Sequence, residues 1–305
     1  MQRFIARRIL QSLVVLVVLA LVVFALARVT GNPADLLLPE DATRDDREHL
    51  LKALGLDRPV HEQLVRFLRG ALTGDLGTSI RYRKPAVEVF FDRLPNTLTL
   101  VPLALLGAII VAIPLGLLAA VYRGTIIDRV SGAIAVLGIA TPQFWLGIIL
   151  IYVFSIQLGW LPSARMGGPA HYILPTITLG AFLVAGVMRL VRSSVLEVLD
   201  TEFVKLARIK GLSQTVVIWK HCLRNALIPV VTLFGVFFAL LVTGAIVTET
   251  VFAWPGVGRL TYEAVIFRDY PLLQAIILMK GIIVLGVNLG VDILYAYLDP
   301  RVRYS

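Results

Sequence analysis

The sequence predicts an all-α, polytopic membrane protein with six transmembrane helices and a cytoplasmic helix–turn–helix loop. Composition is the first reason: of 305 residues, 58% are hydrophobic and only 16% are charged, with a mean hydropathy of +0.84. A soluble domain carries about a quarter charged residues. The second reason is a series of apolar runs, each near the ~20 residues that cross a bilayer as a helix. The third is that Lys and Arg concentrate in the short segments on one side of these runs.

Six apolar runs are the candidate spans, at residues 9–27, 96–121, 130–156, 173–191, 226–248 and 271–298. The first run ends in Ala-Leu-Ala, which resembles a signal-peptidase site. The apolar core of a signal peptide is only about 7–15 residues long, so we expect a retained first span. Pro102, Pro114 and Pro142 lie within spans, where neighbouring helices can satisfy the carbonyl groups that proline leaves free.

The positions of Lys and Arg predict the orientation of the spans. The short outer loops hold only Arg165, Arg259 and Arg268. With the N-terminus inside, the inner segments hold Arg3, Arg7, Arg8, Arg123, Arg129, Arg189, Arg192, Lys205, Arg208, Lys210, Lys220, Arg224, Arg301 and Arg303. Because cytoplasmic loops carry the excess of cations, we expect both termini to be cytoplasmic, in the cytoplasmic (inner) membrane. The same distribution explains the formal net charge of +9 without a nucleic-acid partner.

The outer loops suggest where a solute arrives. We divide the chain into residues 1–29 (N-terminus and first span), 30–95 (an extracytoplasmic helical loop) and 96–305 (a five-helix core). The loop reads as two short amphipathic helices, one from Thr43 to Gly55 and one starting at Pro59. They form either a lid packed on the bundle or a docking platform, and both interpretations stay open. The stretch ETVFAWPGVGRL at residues 249–260 predicts a tight turn at the outer mouth of the bundle.

Enzyme chemistry is missing from the sequence. An ATP-hydrolysing P-loop ends in Gly-Lys, and no Lys in this chain follows a Gly. The start of a zinc-protease motif, HEQLV, has Val65 where the second His must stand. Since the other His residues are scattered and there is one cysteine, Cys222, we expect no metal site, no cofactor and no disulfide in this chain. The sequence therefore favours a transport subunit over an enzyme.

Ionisable residues within the spans are few. Lys280 lies deep in the last span, where facing lipid would cost about 2.5–3.5 kcal/mol, so we expect it to face protein or a pathway. Asp292 lies near the inner end and is interpreted as structural. An ion-coupled secondary transporter usually has more intramembrane carboxylates, which makes it the less favoured alternative.

A basic stretch at residues 201–229 separates two strongly apolar runs. Apolar residues from Val195 through Leu199 and Phe203 to Ala207 share one face of a predicted helix that stops at Gly211. Ser213 can cap a second helix, residues 214–227, which continues into the fifth span. An interfacial helix that binds anionic lipid would explain the charge. A helix–turn–helix that acts as a lever on two spans would also explain why this stretch is connected directly to both spans, and we favour this interpretation.

Motifs along nearly the whole chain occur in a characteristic order. They include LGLDRPVHEQ, GDLGTSI, RLPNTLTL, TPQFWLGIIL, EFVKLARIKGLS, HCLRNALIPVVT, ETVFAWPGVGRL and DILYAYLDPRVR. Together they resemble the dipeptide/oligopeptide/nickel class of ABC-importer permeases, and in particular the dipeptide-permease B-like subunit with a long first outer loop. Three features depart from the usual pattern: Lys205-Leu206-Ala207 stands where Glu-Ala-Ala is usual, Arg224 follows Leu223 where Leu-Pro is usual, and Lys280 replaces an apolar residue.

The resemblance implies a set of partners. These are a homologous second permease, two cytoplasmic ATPase subunits that bind ATP and Mg, and an extracytoplasmic solute-binding protein, all at the lipid bilayer. It implies that a coupling loop, residues 192–225, docks on an ATPase and switches the bundle by alternating access. The solute expected is a di- or oligopeptide, with nickel, glutathione or another small solute as alternatives.

The resemblance also implies site residues. The ATPase-coupling residues are Glu202, Phe203, Lys205, Leu206, Ala207, Arg208, Gly211, Leu212 and Ser213. We further predict that Glu249, Trp254, Lys280 and Asn288 belong to the translocation path or the outer gate.

Overall fold

The fold is that of a helical membrane protein. The structure is a computed structural model and describes residues 2–29 and 57–298, together with the single residues 43, 45, 48 and 52. Within this part of the chain the only β pairing is an isolated bridge between Thr78 and Pro85. The all-α prediction is confirmed. Four helices are long and apolar enough to cross a membrane, or up to six if each of two bent pairs counts as one span.

The helices are α1 (Gln2–Val29), α2 (Val60–Thr73), α3 (Ala86–Val121), α4 (Ile126–Ala140), α5 (Gln143–Leu150, continued by a π-helical segment, Ile151–Gln157), α6 (Ala170–Leu199), α7 (Glu202–Ile209), α8 (Gln214–Val216, π-helical Val217–Cys222 and Leu223–Ala226 in series), α9 (Ile228–Thr232), α10 (Phe234–Val251), α11 (Val257–Ile266) and α12 (Tyr270–Leu298).

The centre of the bundle is the contact between α3 and α6. A stripe of small residues runs along α3 at every fourth position, Ala104, Ala108, Ala112 and Gly116, and all four are buried. Small side chains let two backbones approach closely, which is how helices associate in a membrane without a hydrophobic driving force between them. Pro102 and Pro114 lie inside α3 as predicted, and the helix continues through them.

The third predicted span, residues 130–156, is not one straight helix. It is broken between α4 and α5, whose axes differ by 105°. Thr141 has an extended backbone with ψ of 119°, and Pro142 follows it. A residue before proline is driven out of the α region, and the proline nitrogen cannot donate to the preceding turn. The prediction that a helix passes through Pro142 is therefore wrong, in contrast to Pro102 and Pro114.

Helices α1 and α12 pair at one side of the bundle. Near the start of α1 and the end of α12 the Arg8 guanidinium lies 3.3 Å from the Asp292 carboxylate, which agrees with the structural role predicted for Asp292. At the outer end of α1, Arg28 donates two hydrogen bonds to the Gln63 side chain of α2, at 2.7 and 3.1 Å. These contacts hold α1 between the last span and the outer loop.

The second helix predicted in the outer loop is confirmed as α2. Its apolar residues Phe67, Leu68 and Ala71 pack against a buried cluster formed by α3, α11 and α12. Gly74 ends the helix with a left-handed φ of 81°. The first predicted helix, from Thr43 to Gly55, lies mostly outside the described residues.

The helix predicted to run from Val195 to Gly211 is two helices. α6 ends at Leu199, and α7 starts at Glu202 after an extended Thr201 (ψ 153°). The turn resets the helical phase, so the predicted apolar face is wrong at Phe203 and Leu206, whereas Ala207 is buried as predicted. The residues of α7 that face the bundle are Val204 and Ala207, whereas Phe203 is 42% exposed.

Candidate functional site

Residues 202–213, which we call the coupling elbow, form a short amphipathic helix and a turn beside the end of α6. Val204 and Ala207 are buried and pack with Val217 and Cys222 of α8. The elbow is thus attached to the bundle through one narrow apolar strip.

The residues predicted to couple to the ATPase share an exposed surface. Of these nine, only Ala207 is buried, and the other eight are exposed: Glu202, Phe203, Lys205, Leu206, Arg208, Gly211, Leu212 and Ser213. Leu206 is 55% exposed and Ile209, which the prediction did not include, is 80% exposed. Trp219 on α8 adds an exposed aromatic ring. Large apolar side chains set among cations on one surface are typical of an interaction site.

Gly211 has the backbone conformation that the sequence predicted. Its φ is +78°, and a Cβ built on it meets no atom within 4 Å. An L-residue in the left-handed region costs about 1–2 kcal/mol. The glycine is therefore required by the backbone angle and not by a lack of space.

The second arm of the elbow begins as predicted. The Val216 N–H donates to the Ser213 hydroxyl over 3.4 Å, which makes Ser213 the N-cap of α8. α8 ends at Ala226, where the chain turns into α9 and α10. The path from Gln214 to Val251 bends by 53°, so force applied to the elbow reaches α10 through a bent connection.

A second contact stiffens the inner side near the elbow. Arg192 of α6 binds Asp128 of α4 with two nitrogen–oxygen pairs, at 2.7 and 3.0 Å. The Gly124 N–H donates to the same carboxylate at 2.9 Å. A bidentate pair of this kind fixes orientation as well as distance. Sequence analysis did not find this pair, because its partners are 64 positions apart.

At the outer side, Glu249 holds a loop to the bundle. Its carboxylate accepts a hydrogen bond from the Thr97 hydroxyl at 2.6 Å and from the Arg259 N–H at 3.0 Å, and a further one from the Gly258 N–H. The Val257 N–H donates to the Thr97 oxygen at 2.8 Å. We call Thr97, Glu249 and the residues 256–259 the outer clasp.

The outer clasp is completed by a helix terminus. Glu249 caps the N-terminus of α11, whose first N–H groups have no partner within the helix and favour an anionic acceptor. A Cβ on Gly256 would lie 2.4 Å from both Glu249 carboxylate oxygens, so only glycine fits. Glu249 is 0% exposed.

Trp254 lies in the same loop and is also 0% exposed. Its indole N–H donates to the Asn96 carbonyl at 2.9 Å, and the Asn96 amide donates back to the Pro255 carbonyl at 2.8 Å. The Tyr172 ring packs edge-on against the indole with 4.7 Å between centroids. In this structure Glu249 and Trp254 hold the loop, and their predicted place in the outer gate stays a prediction.

A second buried acid fastens the outer loop to the last span. Asp269 is 0% exposed and precedes α12. It accepts hydrogen bonds from the Ser79 hydroxyl (2.5 Å) and from the N–H groups of Arg81 (3.1 Å) and Leu272 (3.2 Å). Sequence analysis missed Asp269, although an Asp just before an apolar helix is a recognisable N-cap signal.

Lys280 and Asn288 lie on α12 and are both half-buried. Lys280 interacts electrostatically with Glu249 of α10. Among the described residues its ammonium makes neither a hydrogen bond nor an ion pair. The Asn288 amide oxygen would lie 2.7 Å from a Cβ at Gly235, so this glycine lets α10 approach α12. Their predicted part in translocation stays a prediction.

A cavity of about 520 Å³ lies between α3, α4, α5 and α6. Its walls are almost entirely apolar, with Thr141 and Thr176 as the polar exceptions. It offers no charged group for the charged ends of a polar solute, and we assign no solute site to it.

Comparison with known proteins identifies the family. The family model described as "Binding-protein-dependent transport system inner membrane component" matches residues 112–304. An N-terminal model, "Binding-prot-dependent transport system membrane comp, N-term", matches residues 1–101. The chain belongs to this family. It is therefore a permease subunit of an ABC importer in the inner membrane, a transport component whose ATPase is on separate subunits.

The relatives are similar from end to end. The glutathione transport system permease protein GsiC of Escherichia coli strain K12 is 41% identical over 306 residues, covering 100% of both chains. GsiC of Salmonella paratyphi A is 40% identical with the same coverage.

Among solved structures, a chain of the inward-facing MetNI methionine ABC transporter matches with a TM-score of 0.60 and 20% identity, over 70% of this permease and 98% of that chain. At this identity the likeness supports the fold alone.

Proposed function

We propose that this permease imports short peptides or peptide-like thiols such as glutathione, driven by ATPase subunits that bind its coupling elbow. The end-to-end similarity to GsiC supports the solute class. The observation that carries the mechanism is the elbow: eight predicted coupling residues are exposed, five on α7 and three in the turn after it, and α7 is attached through Val204 and Ala207.

The proposed assembly has a second permease, two cytoplasmic ATPase subunits and an extracytoplasmic solute-binding protein. Closure of the ATPases on ATP would move the elbow, and α6 and α8 would carry the motion into the spans. Such a change is a shift between two states of the bundle, biased by ATP on the inside and by the loaded binding protein outside. The inner position of the elbow requires both termini to be cytoplasmic.

The direct test is reconstitution of the complex in lipid vesicles. We expect ATP-dependent uptake of a radiolabelled dipeptide, tripeptide or glutathione, only in the presence of the binding protein. Ni²⁺ without a chelator is the comparison solute. Uptake of Ni²⁺ alone would contradict the proposed solute class, and uptake that needs an ion gradient but no ATP would contradict the mechanism.

Two further measurements test the arrangement. Reporter fusions at Asp57 and after the last residue should give opposite sidedness. In a Cys222→Ser background, Lys205→Cys should crosslink to an ATPase subunit, whereas crosslinking to lipid alone would make the elbow a membrane anchor.

A further inference from the structure

A basic pocket lies on the outer surface beside the outer clasp. It has a volume of about 230 Å³ and lies between the loop that follows α2, the start of α3 and α11. Three guanidinium groups, from Arg81, Arg93 and Arg259, line it together with Tyr82 and Glu263. With three cations and one carboxylate, its formal charge is +2.

The charges of this pocket are unequally satisfied. Arg259 already has an anionic partner, since it donates to the Glu263 carboxylate at 3.0 Å and to the Ala253 carbonyl at 2.9 Å. The Tyr82 hydroxyl donates to the other Glu263 oxygen at 2.7 Å. Burial, followed by the hydrogen bond to Glu263, raises the pKa of Tyr82, which keeps the phenol a donor. Both Glu263 oxygens are thus occupied.

Arg81 and Arg93 are the cations left for a ligand. The Arg81 guanidinium lies 3.5 Å from the centre of the Phe267 ring, which positions it without neutralising it. The nearby Asp269 carboxylate receives the Arg81 backbone N–H and not its guanidinium. Arg93 is half-buried and, among the described residues, has no hydrogen bond or ion pair. A half-buried guanidinium with no partner favours an oxyanion, which arginine binds through two parallel N–H groups.

The size and lining of the pocket indicate the source of that oxyanion. Small-molecule sites are usually about 300–1,000 Å³ and mostly apolar, whereas this pocket is smaller and polar. A second basic pocket, of about 340 Å³, lies on α2 and is lined by Arg58, Arg66 and Arg69 with His61 and Glu62. Both pockets are built from extracytoplasmic segments. Two basic pockets on these segments favour an acidic protein surface as the partner.

We propose that the pocket between Arg81, Arg93 and Arg259 receives an aspartate or glutamate side chain of the extracytoplasmic solute-binding protein. The inference rests on the proposed function, which supplies that partner. Docking there would place the binding protein against α11, directly beside the Pro255–Gly256 turn of the outer clasp. The arginine contact would set the register of docking and speed the encounter, because charge complementarity acts mainly on association and specificity.

The test uses the wild-type complex in vesicles and measures ATPase activity against the concentration of the solute-loaded binding protein. Arg93→Gln removes a charge that has no hydrogen bond or ion pair among the described residues, so the fold should be unaffected. We expect the half-saturating concentration of binding protein to rise roughly ten-fold, with maximal activity unchanged. For Arg93→Lys, the half-saturating concentration should lie between those of the wild type and Arg93→Gln. The half-saturating concentration of the wild type should also rise with salt more steeply than that of Arg93→Gln. Salt screens the ion pair between Arg93 and the acidic residue of the binding protein, and Arg93→Gln lacks this pair.

Arg83→Gln is the matched control. Arg83 carries the same charge, lies in the loop just before α3, is exposed, and does not line the pocket. If Arg93→Gln and Arg83→Gln behave alike, the effect is general surface charge and the proposal is wrong. The proposal is also wrong if Arg93→Gln alters only the preference for solutes with a free carboxylate over their amides. In that case the pocket would bind the solute and not the binding protein.

Failure of the proposed function gives a different result. In that case the binding protein would not stimulate the wild-type complex at all. A second measurement does not depend on activity: in the Cys222→Ser background, Arg93→Cys labelled with a photoreactive maleimide should crosslink to the binding protein. Absence of that crosslink, while stimulation by the binding protein is normal, would overturn the proposal.

Discussion

The outer clasp and the coupling elbow are both short, polar segments at the ends of spans, but the polar groups of the clasp are buried and hydrogen-bonded whereas those of the elbow are exposed. In the outer clasp, Glu249 is 0% exposed and its hydrogen bonds are all made within the chain. In the elbow, Glu202 and Lys205 pair with each other at 2.8 Å, and their side chains are 83% and 56% exposed. The chain completes the clasp by itself and leaves the elbow open to a partner.

This difference fits the proposed coupling, in which the outer clasp is rigid and the elbow receives force from the ATPase subunits. A buried carboxylate with several donors is stabilising only as long as every partner stays in place, so the clasp fixes α10, α11 and α3 as one unit. The elbow has a single apolar strip and one left-handed glycine, which gives it a defined shape with few internal contacts. The proposed mechanism requires this combination of a rigid clasp and an exposed elbow.

Removing the buried carboxylate should have the largest effect on stability. Glu249→Ala leaves the Thr97 hydroxyl and the N–H groups of Gly258 and Arg259 without an acceptor, which should cost roughly 3 kcal/mol or more. The apparent melting temperature of the purified complex should fall by roughly 5–10 °C. Glu88→Gln, which removes an exposed carboxylate paired with Lys84, is the control and should melt like the wild type. Equal melting of E249A and wild type would mean that the clasp does not hold the outer end.

Gly211 separates backbone geometry from packing in the elbow. Because its Cβ position is open, Gly211→Val is opposed only by the positive φ, where β-branched residues are least tolerated. Transport and the response of ATPase activity to the binding protein should fall at least roughly ten-fold, while the complex still inserts. Asn accepts the left-handed region, so Gly211→Asn should retain most activity. If Gly211→Val transports normally, the shape of the elbow does not matter for coupling.

Two neighbouring residues of α7 distinguish the attached face from the presented face. Val204 is 0% exposed, so Val204→Ala should destabilise the packing against α8 by roughly 1–3 kcal/mol. Leu206 is 55% exposed, and Leu206→Ala should leave stability within about 0.5 kcal/mol. Recovery of the ATPase subunit in the purified complex should nevertheless fall for Leu206→Ala. A Leu206→Ala complex that keeps its full ATPase content would show that this surface is not the docking face.

The smallest effect is expected at the exposed ion pair of the elbow. Glu202→Gln removes a pair that spans three residues of one helix, and such pairs contribute only about 0.3–0.5 kcal/mol. Its melting temperature should match that of the wild type within error. A clear loss of stability would mean that the elbow depends on its own charges, as the outer clasp does.

The apolar runs, the amphipathic helix α2 and the glycine turn at Gly211 could be predicted because each depends on local sequence. A lipid-facing run must be apolar over its whole length, and a left-handed residue between two helices favours Gly. Local rules failed where two residues decide a turn. Thr141–Pro142 bends a span that is uniformly apolar, and Asp200–Thr201 shifts the exposed face of α7 from the one predicted.

By itself the sequence determined the all-α membrane fold class, the apolar runs and the helix end at Gly211, because hydrophobicity and backbone preference are properties of each residue and its near neighbours. Only the tertiary structure decided the use of the buried charges. Glu249 meets Thr97 across 152 positions, Ser79 meets Asp269 across 190, and Arg93 reaches the pocket of Arg259 from another helix. The physical reason is that a buried charge is stable only with partners at hydrogen-bonding distance, and packing, rather than sequence spacing, brings those partners together.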